Sequence, residues 1–596
     1  MRVNDRHIRA TRPPVEISFA GKTIRGFEGE SLAACLTANG VRGFRTTKSG
    51  VERGIFCGMG VCSECLVKVE GRSSLNACMT PLVEGMVVEP HVHAKTFSDA
   101  VPVATGTAPD AQTEVLMPDI LVLGGGPAGL SAAKAAAMAG CKVVLVDERP
   151  SLGGQYYKQL LKAHVFDDSQ RMDRQFQAGG RLIAEVEAAG VKIYRGAVIW
   201  GAFEPREICV LVEGHSLVFQ PASVIVATGA YERGVPMPGW TLPGYMTTGA
   251  AQTLLRSYRV SPGKRILLAG NGPLNLQVAF ELTMAGVEVA AVAEAAPLAS
   301  AARLPAILRA FRHSPDLIFD GMNYLCKLVQ ARVPVLSRHV VVGASGNGRV
   351  EQVTVAKINS IGEINDQSRR DFNVDAVCVG YGFLPSNDVS RALNCRHRVD
   401  PLRGGLVAEK DDDCLSSVKN VYIAGDCGGL GGARAAKEDG FIAGAMAARS
   451  LGFELPGDLE TELDASRRRR LVARRFQKAL WEVFAAPQVG LQLAKDDTLV
   501  CRCEEVTLGE LKETLDGGTS TAGAIKRQTR AGMGLCQGRY CGTHITTLVA
   551  EQSGVAPDEY SFFAPRPPIK PVPVHMIAKE TSDGITSTTF EGAELK

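Results

Sequence analysis

Ile120-Leu-Val-Leu123, Gly124-Gly-Gly126-Pro-Ala-Gly129, the Ala-rich run Leu130 to Ala139 and Lys142-Val-Val-Leu-Val-Asp-Glu148 read in succession as strand, tight turn, helix and second strand. The order decides the fold. Gly124 makes the turn, Gly126 lets the backbone approach a pyrophosphate, and Gly129 lets the helix pack on its strand, with Pro127 and Ala128 opening a helix whose N-terminus faces the phosphates. Glu148 lies nineteen residues after Gly129, where a carboxylate accepts ribose hydroxyls. The pattern predicts a dinucleotide site on a parallel sheet.

Three stretches extend this site: Leu152-Gly-Gly-Gln155, Val224-Ile-Val-Ala-Thr-Gly229 and Val421-Tyr-Ile-Ala-Gly-Asp426. With the glycine turn they resemble the two-dinucleotide-binding-domain flavoproteins of the pyridine-nucleotide-disulfide reductase class, from about Met117 to Leu451. The resemblance implies FAD here, with Gly154, Gln155, Thr228 and Gly229 in the cofactor-binding set and Asp426 at the flavin's ribityl or pyrophosphate part. A second copy follows in Arg265-Ile-Leu-Leu-Ala269, Gly270-Asn-Gly272-Pro-Leu-Asn275 and Val287 to Glu294. Asn275 stands where a third glycine would allow close helix packing. Gly270, Gly272 and Glu294 are the candidates for NAD or another adenine nucleotide, with a vestigial site as the even alternative; Glu294 would favour NAD over NADP.

Outward from this core, two four-cysteine sets use half of the sixteen cysteines. Cys57-x4-Cys62-x2-Cys65-x12-Cys78 has plant-type [2Fe–2S] ferredoxin spacing, and Gly58 and Gly60 free backbone N–H groups to face cluster sulfur. Zinc, disulfides or core cysteines are the alternatives, but a zinc site usually pairs two short clips and this is one loop. Cys501-x-Cys503-x32-Cys536-x4-Cys541 is less diagnostic by spacing and leaves zinc open. Its opening resembles bacterioferritin-associated-ferredoxin-like [2Fe–2S] domains.

The 596 residues accommodate several cores, and 66 Lys plus Arg against 63 Asp plus Glu give no case for nucleic acid. The start lacks a signal-peptide core and no apolar run spans a membrane, so the expectation is a cytoplasmic protein, at most peripheral at the inner membrane face. Cluster thiolates agree with a reducing compartment. The expected fold class is α/β: a two-dinucleotide-domain, Rossmann-like flavoprotein flanked by an N-terminal α+β ferredoxin-like domain and a small, mainly helical C-terminal iron–sulfur domain. The expected boundaries are 1–100 for the ferredoxin-like domain, with a helix at Ser31 to Asn39, then a linker 101–116 and the flavoprotein 117–455. A basic helical connector 456–495, the second cluster domain 496–556 and a Pro-rich tail 557–596 complete the chain. The arginine run 467–470 reads as a solvated face in preference to a docking surface. His91 and His93 lack a second pair of ligands nearby and read as a strand end.

No redox-active cysteine pair follows Gly154, and Cys326 is the only cysteine from Gly263 to Val353. Electrons leaving a flavin therefore have the clusters as built-in acceptors. No region of domain size is left for an organic substrate. The phrases Gly229-Ala-Tyr-Glu-Arg-Gly-Val-Pro-Met-Pro-Gly-Trp240, Leu242-Pro-Gly-Tyr-Met246, Gly249-Ala-Ala-Gln252 and Val379-Gly-Tyr-Gly-Phe-Leu-Pro-Ser386 closely resemble α subunits of heteromeric FAD-dependent amine and amino-acid dehydrogenases. That group includes opine, hydroxyproline and proline dehydrogenases, hydrogen cyanide synthase and sarcosine oxidase α. The resemblance implies a catalytic FAD-containing β subunit that oxidises the amine, an FMN at the subunit interface, and a relay through this chain to a quinone or soluble carrier. It implies no catalytic acid or base here. A self-sufficient NADH-dependent iron–sulfur flavoprotein reductase is the alternative, and a non-enzymatic iron- or redox-sensing module the second.

Overall fold

The computed structural model describes residues 1–3, 7–70, 72–92, 114–167, 173–298 and 300–573. His93, residues 101–113 and the tail beyond 573 lie outside them. Two five-stranded parallel sheets form the centre. The first runs in the order Lys192–Arg195, Val143–Asp147, Ile120–Leu123, Ser223–Val226, Val421–Ile423. Its middle strand is wholly buried, as a sheet covered on both faces requires, which is why Ile-Leu-Val-Leu shows no polar alternation. The second runs Tyr245–Thr247, Ala376–Gly380, Arg265–Gly270, Glu288–Glu294, Val335–Ser337. Each carries a small antiparallel companion sheet, and the strand Glu114–Leu116, at the end of the expected linker, joins the first companion.

The Ala/Gly richness has a packing cause. Helix Pro127–Met138 lies directly against helix Ala433–Ser450, where a Cβ on Gly440 or Gly444 would fall 2.0 or 2.2 Å from the carbonyls of Ala128 and Ala132. Only backbones without side chains between them approach this far.

The flanking domains have the expected character. A mixed sheet and the helix Leu32–Ala38, capped by the Ser31 side chain on Ala34 N, make the first. Helices Leu508–Asp516, Ala522–Thr529 and Gly542–Ser553 make the last, the first of them opened by a Thr507/Glu510 capping box. Both fold back onto the flavoprotein. Thr247 N donates to Phe56 O, the His544 ring bonds Gly234 O, and Ile569 from the Pro-rich tail enters the core and donates to Trp200 O.

The connector is one helix, Gly457–Val483. Its arginine run departs from the solvated-face expectation: Arg470 is buried against Asp439, Arg469 pairs with Glu438 and Glu462, and Arg467 with Asp413. Three of the four arginines pair with acids, most of them on the flavoprotein, and fasten the connector down, while Arg468 stays exposed. No helix among the described residues is long and apolar enough to cross a membrane.

Candidate functional site

The first nucleotide loop is built from backbone contacts that side chains would obstruct. Gly124 has φ +110°, with a Cβ position 2.5 Å from Ala227 O, and a Cβ on Gly129 would lie 1.7 Å from Gly124 O. Gly126 is the N-cap of the helix and Pro127 its first residue, so the remaining N–H groups open toward the phosphate position. Gly154 backs onto this turn, its Cβ position 2.8 Å from Gly126 Cα. The Gln155 carbonyl accepts from Lys158 Nζ at 2.8 Å. Thr228 donates to Ser386 O at 2.6 Å and Gly229 O accepts from Ser386 N, tying this loop to the second nucleotide domain. Ala128 packs beneath Gly425, and the half-buried Asp426 accepts the N–H groups of Gly431 and Gly432 at 2.8 and 3.1 Å.

Glu148 stands one residue past the strand and pairs with Lys570. Its neighbour Asp147, absent from the sequence reading, closes onto the glycine turn by accepting from Gly125 N and from Arg149 N. Burial pushes the Asp147 carboxyl up to about 6. The glycine clearances, the open helix N-terminus and the flanking acids fit a dinucleotide of the FAD type.

The second loop has the same plan with one substitution. Gly270 and Gly272 have φ +152° and +116°. Asn275 spans the space a third glycine would leave, donating to Gly380 O at 3.1 Å and accepting from Thr248 at 2.7 Å. Glu294 is fully buried, and its oxygens accept from Gly272 N at 3.1 Å and Ala296 N at 2.9 Å. Burial raises its carboxyl to about 8. Because the folded value exceeds the unfolded 4.5, the native state holds this proton longer, and its stabilising effect fades as pH rises through about 8. Glu294→Gln has no proton to lose. In nucleotide-free protein its melting temperature should lie below wild type near pH 5, the gap narrowing toward pH 8; parallel profiles would contradict this.

All eight cluster-set cysteines are free thiols, seven buried and Cys503 half-buried. In the first set Cys57 contacts Cys62 and Cys78, and Cys78 also contacts Cys65. Backbone N–H groups of Met59, Gly60 and Glu64 point at the sulfurs of Cys57, Cys78 and Cys62 at 3.5, 3.3 and 3.4 Å. In the second set Cys501 pairs with Cys541 and Cys503 with Cys536. The Cys503 thiol, with the N–H groups of Tyr540 and Gly538, draws Cys536 down to about 7 against its burial. Among the described residues no three or more His, Cys, Asp or Glu side chains converge on one ion. A two-iron cluster divides its four ligands between two irons, and thiols free of disulfides, brought together and facing N–H donors, fit that group.

The two sets face each other across one aromatic core. Phe56 precedes Cys57, Tyr540 precedes Cys541, and their rings meet edge to face at 5.2 Å, with Trp240 against Phe56 at 5.9 Å. The Arg502 guanidinium lies 4.0 Å over Phe56 and 4.6 Å over Trp240, and its Nε donates to Glu64 at 3.1 Å. Toward the flavin loop, buried Lys158 donates to Gln252 at 2.8 Å, and Glu232 accepts from Gly249 N at 2.9 Å. Burial lowers Lys158 to about 7 and raises Glu232 to about 7, and Cys57 lies close enough to add to the latter. Glu232, Trp240 and Gln252 lie in the phrases 229–240 and 249–252, and Glu64 and Arg502 between cluster ligands, but nothing in the neighbouring sequence shows which of them meet.

Three family models match the chain: a 2Fe-2S iron-sulfur cluster binding domain over residues 12–93, pyridine nucleotide-disulphide oxidoreductase over 118–440, and a BFD-like [2Fe-2S] binding domain over 499–551. The A subunit of opine oxidase from Rhizobium meliloti is 32% identical over 77% of this chain and 98% of its own length. The HcnB subunit of hydrogen cyanide synthase from Pseudomonas aeruginosa is 33% identical over 76% and 97%. The crystal structure of L-proline dehydrogenase from P. horikoshii superposes with a TM-score of 0.69 at 21% identity, covering 95% of this chain and 98% of that one, a likeness of fold. The family model over more than half of the chain, and identities of 32% and 33% over about three quarters of it and nearly the whole of the opine oxidase A subunit and HcnB, make this chain an oxidoreductase of the pyridine nucleotide-disulphide oxidoreductase family, in the group of HcnB and the opine oxidase A subunit.

Proposed function

We propose that the chain is the electron-relaying subunit of a heteromeric flavin and iron–sulfur dehydrogenase acting on an amine, opine or imino/amino acid. The partner subunit would oxidise the CH–NH donor on its own FAD, an FMN at the interface would connect the subunits, and a quinone or soluble carrier would take the electrons in the cytoplasm. The observation that carries the reading is the meeting of the two cysteine loops on the flavoprotein core, with Phe56 and Tyr540 in ring contact between them. A bound flavin takes electrons in pairs and iron–sulfur centres pass them singly. The chain's own residues hold the parts: Gly124, Gly126, Gly129, Glu148 and Asp426 the FAD, the two cysteine sets the clusters. Phe56, Trp240 and Tyr245 are buried in one apolar cluster with Cys57, Cys62 and Cys536, so the two cysteine loops meet in a dry interior.

A partner is supported by an apolar surface. The helices Leu304–His313 and Pro315–Gln330 expose Leu304, Leu308 and Phe311 on one and Phe319, Met322 and Val329 on the other, at helical spacing, with the Phe311 and Phe319 rings 5.6 Å apart. Exposed large apolar side chains grouped on two adjacent helices support an association surface. The double substitution Leu308→Asp/Phe319→Asp should leave cofactor content and melting unchanged and abolish co-purification of the partner; full retention of the partner would contradict the assignment.

The alternative, an NADH-dependent reductase, is favoured by one observation: Asn271 Oδ1, in the second glycine loop, is buried without a hydrogen-bond partner among the described residues. Anaerobic mixing of the isolated chain with NADH separates the readings. The relay predicts no prompt flavin bleaching, and bleaching would overturn it.

A further inference from the structure

The residues that separate cluster ligands are themselves joined. Glu64 stands between Cys62 and Cys65, and Arg502 between Cys501 and Cys503. They form an ion pair of 3.1 Å with side chains 1% and 5% exposed. The other Glu64 oxygen faces Arg45 at 3.1 Å and Arg53 at 3.7 Å, and Arg53 continues to Glu505 at 3.6 Å. Arg502 is held flat by Phe56 and Trp240 and donates to Trp240 O at 2.6 Å.

A buried ion pair is a poor way to gain stability, since desolvation offsets most of the attraction and well-packed apolar groups do as well. Its place suggests another use. A [2Fe–2S] centre with four thiolates is an anion in either redox state, and reduction adds negative charge. Two such centres across a dry gap repel, and the three arginines around Glu64 put net positive charge between them. The pair also lies on a short bonded route: Glu64 N–H donates to Cys62 Sγ at 3.4 Å, Glu64 Oε1 accepts from Arg502 Nε, and the Arg502 backbone enters Cys501 and Cys503.

We propose that Glu64 and Arg502 are positioning residues for electron transfer between the two clusters, one ion pair that fixes the ligand loops against each other and sets both reduction potentials in common. This rests on the two-cluster reading of the proposed function. Each transfer moves one electron from one cluster to the other, with no bond made or broken and no proton moved; the reductant is the bound flavin in the relay and dithionite in the test.

The test is a redox titration of the full chain followed by electron paramagnetic resonance, with iron and sulfide assayed on each preparation. Arg502→Met, which keeps the packing on Phe56 and Trp240, should lower the electron affinity of both clusters about tenfold, about 59 mV for a one-electron couple. Glu64→Gln should raise both by a similar factor. The double variant should return near wild type, and Arg502→Lys, which keeps the charge, should stay close to it. A residue that only supports the fold would change loading or melting without these paired, opposite shifts. A shift confined to one cluster, or none with both clusters loaded, overturns the proposal. Should a variant fail to load, the wild-type titration decides: reduction of one cluster must lower the affinity of the other, and two independent centres overturn it. A wild-type chain with only one cluster signal instead removes the two-cluster reading itself.

Discussion

Gly129→Val is expected to destabilise the chain by more than about 3 kcal/mol and to abolish flavin binding, because the new side chain meets backbone that cannot yield. Its Cβ would sit 1.7 Å from Gly124 O and 3.3 Å from Val122 Cγ1. Relief would need helix Pro127–Met138 to lift from its strand, but its other side is fixed by Gly440 and Gly444 of helix Ala433–Ser450. Lifting it also withdraws the helix N-terminus from the phosphate position. Thermal melting and flavin content after desalting check this, and a variant with wild-type flavin content would show that the loop is not the cofactor's seat.

Cys57→Ser is expected to remove the first cluster and bring acceptor reduction by the assembled complex to background while the flavin remains. Cys57 is buried in a loop pressed onto the flavoprotein, with the Gly58 Cβ position 3.0 Å from Ala250 Cα. A serine hydroxyl there cannot supply the soft, readily deprotonated sulfur that iron–sulfur ligation needs. Iron should fall by about half and flavin absorbance persist. The matching change at Cys501 or Cys503 separates relay from sensing: loss of turnover supports the relay, and untouched turnover favours an iron- or redox-sensing role for the last domain.

Much of this is legible because it is local. The glycine turn at Gly124 to Gly129, the Ser31-capped helix and the ligand spacing of Cys57, Cys62 and Cys65 are short-range patterns whose geometry follows from a few neighbouring residues. The parts that escape depend on distant pairings. Glu64 and Arg502 are 438 positions apart, and neither residue type signals the other. The arginine run 467–470 looks like a solvated stripe in the sequence because its acids, Asp413, Glu438 and Asp439, lie elsewhere along the chain. Asn275 reads as a lost glycine, whereas its amide bridges Gly380 and Thr248. Asp147 is masked by its neighbour Glu148, since counting along the strand cannot tell which carboxylate turns inward.

Electron relay as described requires a single polypeptide that holds FAD and two [2Fe–2S] centres in electronic contact. Anaerobic purification with iron supplied, cofactor analysis and reductive titration test it most directly. The expected result is about four irons and four acid-labile sulfides per FAD, with about four electrons taken up per chain, two by the flavin and one by each cluster. A chain with neither acid-labile sulfide nor bound flavin would contradict it.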